Sequence, residues 1–277
     1  MSLLYTRIAR QRRRYDPDAR LYLRLVENAL GAATTRIQRE AVSNFIAAEK
    51  AASRWASHKR IYLPIWGNAA ANAICMASRT SGTFVGGMTH AAGYVQGNGS
   101  TGYFNSGASP NGVGMTNGSG YLLALCTQAA STTGKCLLGS YFAAATETNL
   151  VHQTTTVLRY DAFNNVAGQK SSSSLALASQ IGVLSGVRSA SGWDIRRRVT
   201  AGATSLHSST GAAVGGVPTT NIFCMALAYL GGAQPINFHD GRFGVFAFGT
   251  EMSNSGTDAY TLALKTLWET CTGLTLP

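Results

Sequence analysis

Residues 97–102 read Gly-Asn-Gly-Ser-Thr-Gly, a G-x-G-x-x-G run letter for letter. How it is read decides between two fold classes. In a dinucleotide-binding protein the run leads from a strand into a helix whose first amides face a pyrophosphate. An acidic residue about 20 positions later then holds the ribose. Here the run continues as Tyr103, Phe104, Asn105, Ser106, Gly107, Ala108, Ser109 and Pro110, and glycine and proline both penalise a helix interior. No Asp or Glu stands between Glu49 and Glu147, so the ribose acid is missing too. Glycine-rich turns between strands are the ordinary alternative in an all-β chain. No cofactor is expected.

Composition points the same way. Only 13% of the 277 residues are charged, against about a quarter in an average protein, while 45% are hydrophobic and Gly fills 31 positions. A chain poor in charge but sufficient in apolar residues suggests many short strands and tight turns rather than disorder. The net charge of +11 is uneven, because residues 1–60 hold thirteen Lys or Arg against five Asp or Glu. Arg7 and Arg10 interrupt the first apolar residues, so no secretory signal is expected. No apolar run reaches the length that spans a bilayer. Cys75, Cys126, Cys136, Cys224 and Cys271 include no C-x-x-C pair, which argues against zinc. They are read as buried thiols, Cys126 and Cys136 being the pair that could face each other across a hairpin.

Three parts follow along the chain: a basic arm (1–15), a helical segment (16–67) and a strand-rich domain closed by a helix (68–277). Asp16 caps a first helix that Gly31 stops. Thr35 and Gln38 form a capping-box pair for a second. Its apolar stripe is read as Ile37, Ala41, Phe45, Ala48 and Ala52, packing on its own domain or between subunits. Beyond Gly67 the period changes to two. In "WDIRRRV", Trp193, Ile195, Arg197 and Val199 take one face and Asp194, Arg196 and Arg198 the other. "IFCMALAY" (222–229) is apolar on both faces and reads as a central strand; "SSSS" (171–174) reads as a loop. Tyr260, Leu264, Leu267 and Cys271 stripe a last helix that Gly273 ends.

The order of "RIYLPIWGNAAANA", "GYVQGNGSTGYFNSGASPN", the "GYLLALCTQ…GKCLLGS" hairpin and the closing "GRFGVFAFGTEMS" strand–helix unit resembles virion structural proteins of tailed bacteriophages. Those proteins carry a laminin-G-like, concanavalin A-like β-sandwich, and the resemblance runs from about Arg20 onward. It implies a mainly β fold: an antiparallel two-sheet jelly roll with an N-terminal helical segment and a short C-terminal helix. In that setting Gly97, Gly99 and Gly102 are structural, supplying positive φ between two early strands. It further implies incorporation into the virion, assembled in the host cytoplasm, and glycan binding in some members.

Little in the sequence points to catalysis. Glycoside hydrolysis needs two carboxylates facing each other, and no two acids after Glu49 lie closer than seven residues. No G-x-S-x-G elbow occurs, and the five histidines are scattered. The expectation is therefore no enzyme, no catalytic residue and no metal site. Arg7, Arg10, Arg12, Arg13 and Arg14 suit docking on an acidic protein surface. A solvated arm and phosphate binding are the alternatives; with only Tyr5 and Tyr15 to stack, single-strand binding is disfavoured, and nucleic acid is not the expected partner. Arg196, Arg197 and Arg198 suit an acidic glycan or partner, or a charged strand edge. Trp66, Trp193 and Tyr229 are the aromatic residues available to stack on a sugar ring, each more often core. The function expected is a non-enzymatic virion component, on tail, neck, fibre or capsid surface. Its N-terminal part would bind other virion proteins, its sandwich would face outward and copies would self-associate. The alternative is a carbohydrate-binding receptor module of a tail fibre, and no membrane is involved.

Overall fold

Two helices open the described chain where the sequence places their ends. The structure is a computed structural model and describes residues 15–143, 146–154, 156–163, 171–200, 202–210, 215–229 and 234–276. In α1 (Pro17–Leu30) the Asp16 carboxylate accepts from the amides of Asp18 and Ala19, and Gly31 closes the helix at φ 66°. In α2 (Arg36–Ala51) the Thr35–Gln38 capping box is complete. A single turn, α3 (Ala69–Asn72), follows, and α4 (Asn254–Thr272) runs from Ser253 to Gly273.

Between α2 and α4 lie short strands. They begin with β1 (His58–Tyr62), β2 (Thr83–Val85), β3 (Thr89–Ala91), β4 (Tyr94–Gln96), β5 (Tyr103–Asn105) and β6 (Gly120–Gln128). Next come β7 (Lys135–Ala143), β8 (Thr146–Thr154), β9 (Val157–Ala162), β10 (Ser171–Ser174), β11 (Gly182–Ser189), β12 (Gly192–Arg198) and β13 (Ala203–Thr210). The last are β14 (Phe223–Cys224), β15 (Leu227–Tyr229), β16 (Gln234–Ile236) and β17 (Arg242–Gly249). One sheet has the order β13-β12-β11-β6-β17-β4-β3 with β1 on β17, and the other β10-β9-β8-β7-β14-β5-β2 with β15 and β16 attached. Pairing is antiparallel apart from a β15–β7 bridge. The chain is thus mainly β, with two sheets and few helices.

The two sheets share a core. Leu122, Ala124, Leu184, Ile195, Phe246 and Phe248 of the first meet Phe104, Leu138, Leu150, Leu158 and Tyr160 of the second. The first sheet is apolar on its other face as well. There Leu123, Leu125, Val183, Val187, Val245 and Ala247 pack with Tyr22, Val26, Phe45, Ile46, Leu264 and Trp268 of α1, α2 and α4. This second core is why "YLLALC" in β6 is an unbroken apolar run: both faces of its strand are covered.

Four readings change. The buried face of α2 is Val42, Ser43, Phe45, Ile46 and Glu49, while Ile37, Ala48 and Ala52 are exposed. "IFCMALAY" is buried from Ile222 to Ala228 but splits into β14 and β15, because Met225 takes φ 66° and a left-handed residue ends the ladder. "SSSS" forms the edge strand β10, paired with β9. Of the three turn glycines only Gly99 has positive φ, at 75°. Gly97 is required by close approach instead, a Cβ there lying 2.1 Å from the His239 carbonyl oxygen; Gly102 would meet Met88 Sδ at 2.7 Å.

All five cysteines are buried free thiols. Burial pushes Cys126 and Cys271 up to about 12. The folded protein is therefore expected to react with no equivalent of a maleimide until denaturant is added. Rapid labelling of even one thiol under native conditions would contradict this packing.

Candidate functional site

The arginines named from the sequence fall in two places. Arg7, Arg10, Arg12, Arg13 and Arg14 lie outside the described residues. Arg196, Arg197 and Arg198 lie on β12, which is flanked by β11 and β13 and so is not a sheet edge. Strand alternation separates them as expected. Arg196 bridges Asp194 and Asp258. Arg198 donates to Thr261 Oγ1 at 2.9 Å and to the Asp258 carbonyl at 2.8 Å. Both therefore face α4. Arg197, on the opposite face, donates to the Ile181 carbonyl at 2.9 Å. Burial works against the charge of all three; for Arg196 the two aspartates outweigh it.

The Gly97–Gly102 loop is organised by one side chain. Asn98 Oδ1 accepts from the amides of Ser100, Thr101 and Gly102 at 3.0, 2.9 and 2.8 Å. The amides that a phosphate would use are turned onto this asparagine. Asp240 is held by Ser131, through its amide at 3.0 Å and its hydroxyl, and Lys135 donates to the Gly99 carbonyl at 3.2 Å.

A polar row missed by sequence reasoning lies on the second sheet. Leu138, Leu150, Leu158 and Tyr160 face the shared core, so alternation sends Gly139, Tyr141, Glu147, Asn149, Arg159 and Asp161 to the other face. Register places Tyr141 opposite Glu147, Gly139 opposite Asn149, and Asn149 opposite Asp161. Glu147 and Asp161, fourteen positions apart in sequence, thereby become diagonal neighbours. Arg159 Nη2 holds Asp161 at 2.8 Å. Asn149 is fully buried and donates to Glu147 at 3.4 Å, while its Oδ1 has no hydrogen-bond partner among the described residues. Beside this row the Tyr141 and Tyr229 rings stack at 4.7 Å and 15°. Glu147–Asn149 and Arg159–Asp161, each spaced by two, were the available signal.

A buried ionic group joins α2 to the first sheet. Glu49, fully buried, receives Arg54 Nη2 at 2.7 Å and Nε at 2.8 Å. His58 Nε2 lies 3.0 Å from Glu49, and its Nδ1 lies 2.9 Å from the Tyr121 hydroxyl. The imidazole stacks on Tyr260 at 4.0 Å. A neutral ring satisfies both neighbours, with Nε2–H donating to Glu49 and Nδ1 accepting from Tyr121. Burial pulls His58 below its ordinary value, and Glu49 opposes this without overcoming it. Burial raises Glu49 in turn, but hydrogen bonds from His58 and Arg54 outweigh it and hold the carboxyl below its usual range.

The sign follows from linkage. His58 takes a proton less readily folded than unfolded, where it titrates near pH ~6.5, so stability is whole above that pH and declines below it. Half-buried His90 is shifted in the same direction by burial. The melting temperature is expected to begin falling below about pH 6.5, before the carboxylates protonate. His58→Gln should remove its share of that decline and leave the share of His90. A profile flat from neutrality to about pH 5, or one unchanged in the variant, would refute the assignment.

Among the described residues no three His, Cys, Asp or Glu side chains gather to hold a metal ion, and no helix is long and apolar enough to cross a membrane. No known protein family matches the chain, and no curated protein does. Solved structures do. Domain 4 of AbnA, a GH43 extracellular arabinanase from Geobacillus stearothermophilus in complex with arabinotriose, is 13% identical. That likeness covers 75% of this chain and 98% of that one, with a TM-score of 0.48. Trypanosoma rangeli sialidase in complex with the inhibitor DANA is 11% identical over 74% of this chain, with a TM-score of 0.47. A GH54 arabinofuranosidase soaked with a cyclic sulfate inhibitor is 12% identical over 78%, with a TM-score of 0.36. The chain spans 32% of the sialidase and 43% of the arabinofuranosidase. Against the expectation of a chain that is no enzyme, these three are carbohydrate-active enzymes or a domain of one. At 11–13% identity and TM-scores below 0.5, no catalytic residue passes from them to this chain.

Proposed function

We propose that the chain is a structural component of a tailed-phage virion, anchored on its helical side and presenting its second sheet outward. The observation that carries this reading is the polarity of the fold. Among the described residues the helices cover only one sheet, and the first of these residues, Tyr15 and Asp16, join that helical layer through Asp16 N–H and Ser43 Oγ at 2.8 Å. An N-terminal attachment therefore leaves the second sheet on the far side. The likeness of "GNGSTGYFNSG" and the closing strand–helix unit to phage virion proteins supports the same reading. So does the alternation of strands between sheets (β4, β5, β6, β7), which is what a jelly roll of the concanavalin kind requires. Self-association is part of the proposal, since symmetric arrays repeat a small contact many times. The test is labelling of purified particles with an antibody against residues 68–277. Label on tail, fibre, neck or capsid surface supports the proposal, and particles without label overturn it.

The stack of the half-buried Tyr141 and Tyr229 rings favours a second reading, binding of a host-surface glycan on the second sheet. Aromatic faces carry sugar C–H groups. Saturable binding on a glycan array, weakened at least tenfold in Tyr141→Ala, is expected on this reading. No saturable binding to any glycan would reject it.

A further inference from the structure

The outward face of the α2–α4 pair is largely apolar, neutral in charge and uncovered among the described residues. The two helices lie side by side and antiparallel, with Gln38 Nε2 donating to the Cys271 carbonyl at 3.3 Å and Phe45 meeting Tyr260 at 6.2 Å between ring centroids. Between them runs a groove of about 420 Å³ whose lining includes Ala41, Asn44 and Ala48 of α2 and Ala263, Thr266 and Leu267 of α4. Two large apolar side chains left in solvent stand beside it. Ile37, one turn before Ala41, is 61% exposed, and Leu262, next to Ala263, is 40% exposed. Single exposed apolar residues are ordinary, but a contiguous apolar surface marks a protein contact.

Three properties of this face fit a second copy of the chain. The first is charge. The protein carries a net charge of +11, so two copies repel wherever unpaired cations meet. Along α2 the stripe Ile37, Ala41, Asn44, Ala48 and Ala51 carries no charge. Charges that border the face are neutralised within the chain, Arg36 by Glu40 at 2.9 Å and Lys265 by Glu269 at 2.6 Å. The second is size. The stripe runs at helical spacing from bulky Ile37 to small Ala48 and Ala51. A two-fold axis at Asn44 lays α2 antiparallel on its copy, so that Ile37 meets Ala51, Ala41 meets Ala48 and the two Asn44 amides meet each other. Bulky then faces small at both ends, alanines let the helix axes approach closely, and an amide both donates and accepts. The third is area. α2 has 16 residues, and two helices about 24 Å long and ~10 Å across offer roughly 500 Å² per copy. About 1,000 Å² in total reaches the lower bound of a specific interface.

We propose that the α2–α4 face is an isologous dimer interface, on which a second copy of the chain docks through its own α2 about a two-fold axis at Asn44. The stripe read from sequence is thereby divided: Phe45 packs within its own domain, while Ile37 and Ala48 meet the copy. This deepens the self-association part of the proposed function by naming its surface; it rests on that part alone and not on the virion reading.

Sedimentation velocity of the full chain, from low micromolar to submillimolar concentration, is expected to show a monomer–dimer equilibrium. Ala48→Arg sets a charge of each copy against the other's α2 and should weaken the dimer at least tenfold. Its circular dichroism should match the parent, because position 48 is exposed. A chain that stays monomeric throughout overturns the proposal. So does a dimer that Ala48→Arg leaves intact, which would keep self-association and move it to another surface. A second measurement exploits the burial of the five native thiols. Asn44→Cys, on the axis, should form disulfide-linked dimers under mild oxidation several-fold faster than Thr132→Cys, an exposed site between β6 and β7. Equal rates reject an interface centred on Asn44. Particles without antibody label would reject the virion reading and leave each of these outcomes as it stands.

Discussion

Glu49→Ala is expected to lower the unfolding free energy by roughly 3 kcal/mol, the lower end of what removing one partner of a buried ion pair costs. The lower end applies because the two partners fare differently. The Arg54 side chain is 21% exposed and can turn to water. His58 is 4% exposed, and its Nε2–H would lose its acceptor with no water at hand. Glu49→Gln should lose less, since the amide oxygen still accepts from His58 while the pairing with Arg54 weakens. Urea unfolding of the three proteins measures both effects. A loss below about 1 kcal/mol for Glu49→Ala would mean that the network adds no more than an exposed pair does.

Gly244→Ala is expected to be comparably damaging, by roughly 3 kcal/mol, from the opposite cause. An added Cβ would lie 2.1 Å from Trp268 Nε1 and 2.4 Å from its Cδ1. The indole cannot yield easily, being 2% exposed and donating to the Gly93 carbonyl at 2.8 Å. Trp268→Ala removes both atoms that collide, so the loss in the double variant should be smaller than the sum of the two single losses. Thermal melts of both single variants and the double variant form the cycle. Simple additivity would show that the methyl group and the indole do not meet.

Helix ends were legible because caps are local: Asp16, Gly31, Thr35 with Gln38, and Gly273 each act within a few residues. The phase of α2 was not. Its buried face includes Ser43 and Glu49, polar residues accommodated by partners outside the helix (the Asp16 amide, Arg54 and His58), which a hydrophobic pattern does not contain. β11 went unread for a related reason. Gly186 interrupts its apolar run because the Tyr160 ring lies on it, a Cβ there coming within 2.4 Å. The Glu147–Asp161 diagonal was invisible in sequence spacing, since strand register alone makes the two acids neighbours. The central arginines were assigned to the correct faces of β12, but what those faces meet depends on α4, more than fifty residues away.

β1 pairs with β17, a strand near the opposite end of the chain. During synthesis α1, α2 and β1 leave the ribosome before β17 and await that partner for on the order of ten seconds or more. Through that interval Ile61 and the apolar faces of α1 and α2 lack much of their final cover, so the nascent chain is expected to be prone to aggregation. Shortening the protein from its C-terminal side removes the strand that β1 requires, and such fragments should accumulate as aggregates rather than as smaller folded units.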